Sequence, residues 1–160
     1  MRQQGSGRII NTSSVAGKSV LYYGGWYHVT KYSVEAFSDA LRIEMQPFGI
    51  DVVMIEPGGI KTDWGHIAAD HLAESSKGTA YEQTGLQEAE NLHWMYNTNY
   101  LSQPAVVTKA MCKAVNSRRP RARYRVGAFA TTIVLSHLLL PARWWDAVVR
   151  MLGKVKTPSK

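Results

Sequence analysis

Cysteine, secretory signals and glycine-rich phosphate loops are scarce or missing in this sequence. Cys112 is the only cysteine in 160 residues, which excludes an internal disulfide framework. The opening residues MRQQGSGRIINTSS contain no apolar stretch of the length that a signal peptide needs, so we expect a cytoplasmic location. Neither Gly5 with Gly7 nor Gly58 with Gly59 has the G-x-G-x-x-G spacing that holds a dinucleotide phosphate at a helix start.

Acidic residues are nearly absent from the last third of the chain. Residues 109–160 hold 12 Lys and Arg against one acid, whereas residues 1–108 hold 7 basic and 11 acidic residues. The densest basic segment, NSRRPRARYRVG, has little aromatic interleaving and matches no nucleic-acid module. We therefore expect a solvated basic face and no nucleic-acid partner.

Long hydrophobic runs are missing as well. About a dozen mostly apolar residues precede Pro141, which is too few to cross a bilayer. The tail beyond them places two tryptophans among basic residues: Trp144 and Trp145 with Arg143, Arg150 and Lys154. Contact with a membrane surface is one reading of this pattern, and helix packing or a subunit contact is the favoured one.

The first part of the sequence has the pattern of a β-α-β unit. The β-branched run from Arg8 to Thr12 predicts a short buried strand. An amphipathic helix is predicted from Trp26 to Gln46, ended by Pro47 and Gly49. Its apolar or small positions are Val29, Ser33, Ala36, Phe37, Ala40, Leu41 and Met45. The continuous apolar run IDVVMIEPGG predicts a second strand covered on both faces, and the unit predicts an α/β fold with a parallel sheet.

The remainder is predicted to be mainly helical. Residues 63–100 are polar and acid-rich, and they predict a mobile helical excursion from the sheet. QPAVVTKAMCKAVNS predicts a helix with Pro104 in its first turn, and ARYRVG predicts a short late strand. We therefore divide one domain, residues 1–160, into a β-α-β unit (1–62), an excursion (63–100) and C-terminal helices with the late strand (101–160).

Tyr27 and Lys31, four residues apart in GGWYHVTKYS, form the candidate catalytic pair. On a helix their side chains lie about one turn apart on one face. A free phenol titrates near 10, and a neighbouring ammonium lowers this value, so that a phenol can exchange protons with an alcohol or carbonyl oxygen. Ser14, at the end of the preceding strand, supplies a hydroxyl to hold that oxygen. A bare Tyr-x-x-x-Lys spacing is weak evidence, so its surroundings must decide.

Three segments in order, GRIINTSSVAG, YHVTK and GIDVVMIEPGGIKT, resemble the second half of the short-chain dehydrogenase/reductase family. The resemblance implies a partial Rossmann-like, doubly wound parallel sheet and an NAD or NADP cofactor. It implies that Tyr27 is the catalytic acid/base and that Ser14 positions the substrate oxygen. Lys31 would favour the phenolate of Tyr27 and bond the nicotinamide ribose. For Asn11, in the strand end before Ser14, we assign no catalytic role.

The resemblance also extends to the nicotinamide and the substrate. Pro57, Gly58 and Thr62 match the family's Pro-Gly-x-x-x-Thr turn, which packs along the nicotinamide and bonds its carboxamide. Residues 63–100 match the region that forms the substrate lid. The segments YHVTK and RYRVG are most similar to those of family members that act on hydrophobic alcohols and ketones, including steroid- and retinol-type enzymes.

The family's glycine-rich turn, its NAD/NADP discriminator and its catalytic Asn have no counterpart in this sequence. We therefore expect the chain to be the C-terminal part of a longer domain. The strand that leads to Ser14 is then expected to be an open sheet edge. We also expect the chain alone to bind dinucleotide poorly and to turn over little.

Other candidate residues leave alternatives open. We expect a packing or surface role for His28 rather than a proton relay. Trp94, Tyr96 and Tyr100 either line an apolar substrate pocket or bury themselves against the sheet. We expect no metal site, because the histidines near two aspartates lack a ligand-pair spacing. These residues are His66, His71 and His93, with Asp63 and Asp70.

Two functions from different classes follow from the sequence. The first is an NAD(P)-dependent oxidoreductase that interconverts an alcohol and a ketone or aldehyde, with a small-molecule substrate and homo-oligomers as an option. The second is a noncatalytic chain that keeps the β-α-β unit as an interaction module. Ser14, Tyr27 and Lys31 together favour the first, because an interaction module does not need a phenol beside an ammonium.

Overall fold

Three parallel strands form one sheet in the order β1-β2-β3 in the computed structural model, which describes residues 1–153. The strands are β1 Gly7–Thr12, β2 Ile50–Pro57 and β3 Arg123–Val126. The central strand β2 sets Val52 opposite Ile9 of β1 and Ile55 opposite Tyr124 of β3. The predicted parallel sheet is confirmed, and the strand that leads to Ser14 lies at one edge of the described sheet.

Six helices connect and cover these strands within residues 1–153. They are α1 Gly25–Met45, α2 Trp64–Ser76, α3 Glu82–Asn97, α4 Ala105–Asn116, α5 Ala130–Leu139 and α6 Ala142–Gly153. Two 3-10 turns, Val15–Gly17 and Gln46–Phe48, flank α1. The helix predicted after Trp26, the helical excursion of residues 63–100, the helix after Pro104 and the late strand are therefore all present.

The end of α1 follows the predicted proline and glycine. Pro47 lies in the 3-10 turn after the helix, and Gly49 has a left-handed φ of 68°. A Cβ at Gly49 would also collide with the backbone oxygen of Gly5. Only glycine fits this turn, which directs the chain from α1 into β2.

The apolar core lies between α4 and one face of the sheet. Val53 and Ile55 of β2 and Tyr124 of β3 pack with Ala110 and Ala114 of α4, and all five are buried. Alternate strand residues point to opposite faces, so this pattern leaves the even-numbered residues of β2 for the other face. The continuous apolar run of β2 therefore packs against α4 on one face of the sheet and against α1 on the other.

The face of α1 that packs on the sheet differs from the predicted one. Val29 and Phe37, two of the apolar positions that predicted the helix, are 52% and 63% exposed. The buried positions of α1 are His28, Glu35 and Ser38. The strand face that meets α1 carries the polar side chains of Asn11, Glu56 and Arg123 beside apolar ones, so polar residues of α1 find partners there.

A network of charged side chains joins α1 to the sheet. Glu35 is buried and lies 3.1 Å from Lys18 and 3.2 Å from Arg123. Arg123 of β3 also pairs with Asp39 of α1 at 2.6 Å and with Glu56 of β2 at 3.0 Å. One guanidinium thus holds a helix and two strands together, as planar arginine donors allow.

Asp39 gives this network a pH dependence. Burial alone would raise the pKa of Asp39, but hydrogen bonds and charge from Arg123 and Arg42 outweigh it and lower that pKa. The stabilisation is present above the unfolded-state pKa of about 3.9 and is lost as pH falls through the lower folded-state pKa. We expect Asp39→Asn to unfold at a lower temperature than wild type at pH 7, with a smaller gap between the two at pH 3. An equal gap at both pH values would contradict this assignment.

Helices α2 and α3 form a hairpin that packs mainly on itself. Gly65 of α2 lies directly against the Tyr96 ring, and Gly85 of α3 lies against Ser76, so a Cβ at either glycine would collide. The hairpin contacts the rest of the chain through a few side chains, including Asn91, which donates to the Gly153 carbonyl oxygen at 2.6 Å. Its role as a lid stays a prediction.

Helix α6 buries one of its two tryptophans and exposes the other. The Trp145 indole is buried and donates to the Val20 carbonyl oxygen at 3.1 Å, whereas Trp144 is 67% exposed. Helix packing therefore accounts for Trp145, while Lys154 lies outside the described residues. No helix within residues 1–153 is both long and apolar enough to cross a bilayer.

Candidate active site

The carboxyl ends of β1 and β2 bring Ser14 beside Pro57. The Ser13 amide continues the pairing of β1 by donating to the Ile55 carbonyl oxygen at 2.9 Å. Ser14 then caps the first 3-10 turn: its Oγ accepts from the Ala16 amide at 3.1 Å and lies 3.4 Å from the Pro57 carbonyl oxygen. Carboxyl ends of parallel strands are where α/β sheets bind ligands, so this serine stands at a ligand-binding edge.

Tyr27 and Lys31 lie on the first turns of α1 with their side chains together. Lys31 Nζ is 5.7 Å from the centre of the Tyr27 ring, which is within cation-π distance. The same ammonium donates to the Thr12 carbonyl oxygen at 3.2 Å. Thr12 is the last residue of β1, so Lys31 ties the start of α1 to the strand end that precedes Ser14.

Pro57 is the last residue of β2, and Gly58 begins the turn that leads to Thr62. The Gly58 amide donates to the Val126 carbonyl oxygen at 2.8 Å, and a Cβ at Gly58 would lie 2.5 Å from the Ala128 oxygen. Glycine is therefore needed for the close approach of this turn to the end of β3. Thr62 is exposed and its hydroxyl bonds no other described residue, so it is free to bond a ligand.

Trp64 lies beside Tyr27 and was not singled out by the sequence. Its ring centre lies 5.0 Å from that of Tyr27 and 6.4 Å from that of Tyr96. Burial raises the pKa of the Tyr96 phenol, and the nearby Tyr27 adds to this shift. The only sequence signal was an aromatic residue two positions after Thr62, at the start of a predicted helix.

The aromatic candidates Trp94, Tyr96 and Tyr100 differ in their exposure. Trp94 and Tyr100 are 61% and 67% exposed, whereas Tyr96 packs beside Trp64. Tyr96 therefore belongs to a cluster with Tyr27 and Trp64. Asn11, to which no catalytic role was assigned, donates to the Ser38 hydroxyl at 2.8 Å and so joins β1 to α1.

The histidines of the α2-α3 hairpin form a hydrogen-bonded chain. His66 Nδ1 and His93 Nδ1 are 2.9 Å apart, and His93 Nε2 lies 3.1 Å from Asp70 Oδ1. His71 lies exposed on α2. Within residues 1–153 no group of three or more His, Cys, Asp or Glu side chains is placed to hold a metal ion.

Comparison with known proteins identifies related sequences of one family. A family model described as short chain dehydrogenase matches residues 1–72. The chain is 30% identical over 145 residues to a probable short-chain type dehydrogenase/reductase, VdlC, of Helicobacter pylori, covering 91% of this chain and 52% of that protein. It is 33% identical over 163 residues to mouse retinol dehydrogenase 5, covering 92% of this chain and 49% of that protein.

A solved structure supports the same conclusion for the fold. A short-chain dehydrogenase from Streptomyces avermitilis superposes with a TM-score of 0.64 at 26% identity, covering 96% of this chain and 52% of that one. The chain thus spans about half the length of the relatives it matches. Because its sheet, its ordered sequence segments and its relatives agree, the chain belongs to the short-chain dehydrogenase/reductase family.

Proposed function

We propose that the protein is an NAD(P)-dependent oxidoreductase that interconverts an alcohol and a ketone or aldehyde. The observation that carries this proposal is the link between Lys31, the Tyr27 ring and the end of β1. That link holds a phenol and an ammonium at the edge of the sheet where Ser14 ends the strand. A surface pair without a function would not need to be tied to the strand.

Tyr27 is the group that moves the proton. In alcohol oxidation its phenolate oxygen accepts the hydroxyl proton while the carbon-bound hydrogen leaves as hydride. In carbonyl reduction the phenol returns that proton to the developing alkoxide. Lys31 holds its positive charge beside the ring, and the Ser14 hydroxyl donates to the substrate oxygen.

The donor set suits the nicotinamide end of the cofactor. The Lys31 ammonium has donors to spare for ribose hydroxyls, and the free Thr62 hydroxyl suits a carboxamide. When bound, the nicotinamide accepts or supplies the hydride. By contrast, the sequence holds no G-x-G-x-x-G turn for the pyrophosphate. The chain alone is therefore expected to bind dinucleotide weakly, whichever of NAD and NADP is the partner.

The substrate is proposed to be hydrophobic. Trp64 and Tyr96 place two aromatic rings beside the catalytic phenol. Aromatic walls bury apolar ligand surface and leave orientation to a few polar groups. The similarity to a retinol dehydrogenase supports a retinol- or steroid-like alcohol.

The first experiment compares this chain alone with the same chain joined to an upstream nucleotide-binding half from a relative. NADH and NADPH are titrated by nucleotide fluorescence, and any version that binds saturably is here called the nucleotide-competent form. We expect that form to oxidise apolar alcohols with one of the two nucleotides. A folded form that binds nucleotide and turns over no alcohol or carbonyl compound of a broad panel would overturn the proposal in favour of an interaction module.

Trp64→Ala tests the hydrophobic substrate. In the nucleotide-competent form we expect the KM for a large apolar alcohol to rise roughly 10-fold, because the truncation removes apolar contact area. The KM for a small alcohol such as 2-propanol is expected to change little. Trp144→Ala on α6 is the matched control, since that side chain is exposed. Equal KM changes for large and small alcohols would contradict a direct role of Trp64 in substrate binding.

A further inference from the structure

We propose that His28 is a positioning residue for the catalytic pair, one that fixes the loop carrying Ser14 to the helix carrying Tyr27. This inference rests on the proposed function and concerns a side chain that takes no part in the proton transfer. His28 is buried, with 6% of its surface exposed, although it follows Tyr27 directly in the first turns of α1.

The hydrogen bonds of His28 define one neutral tautomer. Its Nε2 accepts from the Leu21 amide at 3.0 Å, and its Nδ1 lies 3.0 Å from the Ala16 carbonyl oxygen. A backbone amide only donates and a carbonyl oxygen only accepts, so Nε2 carries no proton and Nδ1 carries one. The imidazole thus spans both sides of the loop between β1 and α1.

The Ala16 peptide connects this imidazole to the serine. The Ala16 amide donates to Ser14 Oγ at 3.1 Å, while the Ala16 carbonyl oxygen accepts from His28. Ser14 is therefore two hydrogen bonds away from α1 through a single residue. Loss of the His28 bond would release one side of the turn that holds the serine hydroxyl.

The loop is shaped to pass over the imidazole. The His28 amide donates to the Gly24 carbonyl oxygen at 2.8 Å, and a Cβ at Gly24 would lie only 2.8 Å from His28 Nε2. Glycine at this position lets the chain approach the ring closely. Gly24 and His28 therefore pack closely against each other at the start of the helix.

The position of His28 on the helix explains how it acts on Tyr27. Successive helix residues point about 100° apart, so the burial of His28 also sets the direction in which Tyr27 leaves the helix. In that direction the Tyr27 ring meets Trp64, and the Lys31 ammonium approaches the ring from one turn later. A misplacement of about 1 Å at reacting groups can cost roughly 10²-fold in rate, so this anchoring bears on catalysis.

Three substitutions at His28 distinguish the contribution of its two hydrogen bonds from that of its ring. His28→Phe keeps a ring and removes both bonds, His28→Gln offers an acceptor near the Nε2 position, and His28→Asn offers a donor near the Nδ1 position. His71→Phe, at an exposed histidine of α2, is the matched control. In the nucleotide-competent form we expect His28→Phe to lower kcat by about 10- to 100-fold with KM nearly unchanged. The Gln and Asn variants are expected to recover part of the loss.

Nuclear magnetic resonance of the 160-residue chain tests the geometry without catalysis. We expect a protonated Nδ1 and an unprotonated Nε2 at His28, and we expect nuclear Overhauser effects between the Tyr27 and Trp64 rings. Those effects should weaken in His28→Phe, or in His28→Asn if the former does not fold, and persist in His71→Phe. A protonated Nε2, or ring contacts that are unchanged in the folded variants, would overturn the proposal. A failure of the proposed function is distinct, because wild type would then be inactive with the expected tautomer and ring contacts in place.

Discussion

Replacing Tyr27 by Phe is expected to lower the kcat of the nucleotide-competent form by roughly 10²- to 10⁴-fold. The substitution removes only the phenolic hydroxyl, which is the group proposed to exchange the proton with the substrate oxygen. Because that exchange occurs in the transition state, kcat and kcat/KM are expected to fall together, with KM nearly unchanged. Steady-state oxidation of an apolar alcohol, followed by formation of reduced nucleotide, measures the effect.

The fold is expected to tolerate Tyr27→Phe. The ring remains, and with it the contact with Trp64 at 5.0 Å between ring centres and the approach of Lys31 Nζ at 5.7 Å. Tyr32→Phe is the matched control, since it removes the same atom from the same helix at a partly exposed position. Wild-type kcat in a folded Tyr27→Phe protein would remove Tyr27 from the mechanism.

The β-α-β unit was predictable because its signals are local. Pro47 and Gly49 end α1 by constraints of their own backbones, and the β-branched run of β2 favours a strand whatever surrounds it. The pairing of Tyr27 with Lys31 followed equally from helical spacing. Each of these features depends on residues close in sequence.

The buried face of α1 was not predictable in the same way. Its identity depends on β3, which lies about 85 residues further along the chain and presents Arg123 to Glu35 and Asp39. The apolar stripe that includes Phe37 gave the right helix and no information on its partner. Trp64 was missed for a related reason, because its contact with Tyr27 depends on where the turn after β2 places the start of α2.

Glu56 is a sequence signal for the charged network between β2 and β3. A glutamate inside the apolar run of β2 must find a charged partner, since an isolated buried carboxylate is very costly. The alternating arginines of RYRV in the late strand are the partners: Glu56 Oε1 lies 3.0 Å from Arg123 Nε, and Oε2 lies 2.9 Å from Arg125 Nε. Parallel pairing of β2 with β3 brings these side chains to one face.

Glu56→Gln is expected to lower the free energy of unfolding strongly. The side chain is completely buried, and the substitution leaves two partly buried guanidinium groups without their shared countercharge. Breaking a buried pair from one side typically costs about 3–5 kcal/mol, which corresponds to a fall in Tm of roughly 10 °C for a domain of this size. Thermal unfolding followed by circular dichroism measures the change.

Glu74→Gln is the matched control, because Glu74 pairs with Lys77 and both side chains are largely exposed. Exposed pairs contribute about 0–1 kcal/mol, so its Tm should stay close to that of wild type. The double variant Glu56→Met with Arg125→Met should recover part of the loss, because it removes charge from both sides of the pair. Equal Tm values for Glu56→Gln and Glu74→Gln would show that the buried network does not stabilise the fold.

The same experiment bears on the active site through chain connectivity. Glu56 immediately precedes Pro57, whose carbonyl oxygen lies 3.4 Å from Ser14 Oγ. A carboxylate held by two arginines of β3 therefore fixes the end of β2 beside Ser14. Below its unfolding temperature, the nucleotide-competent Glu56→Gln protein is expected to lose kcat severalfold, whereas the Glu74→Gln protein is not. The network of charged side chains between α1 and the sheet would then support both the stability of the sheet and the placement of Ser14 at its edge.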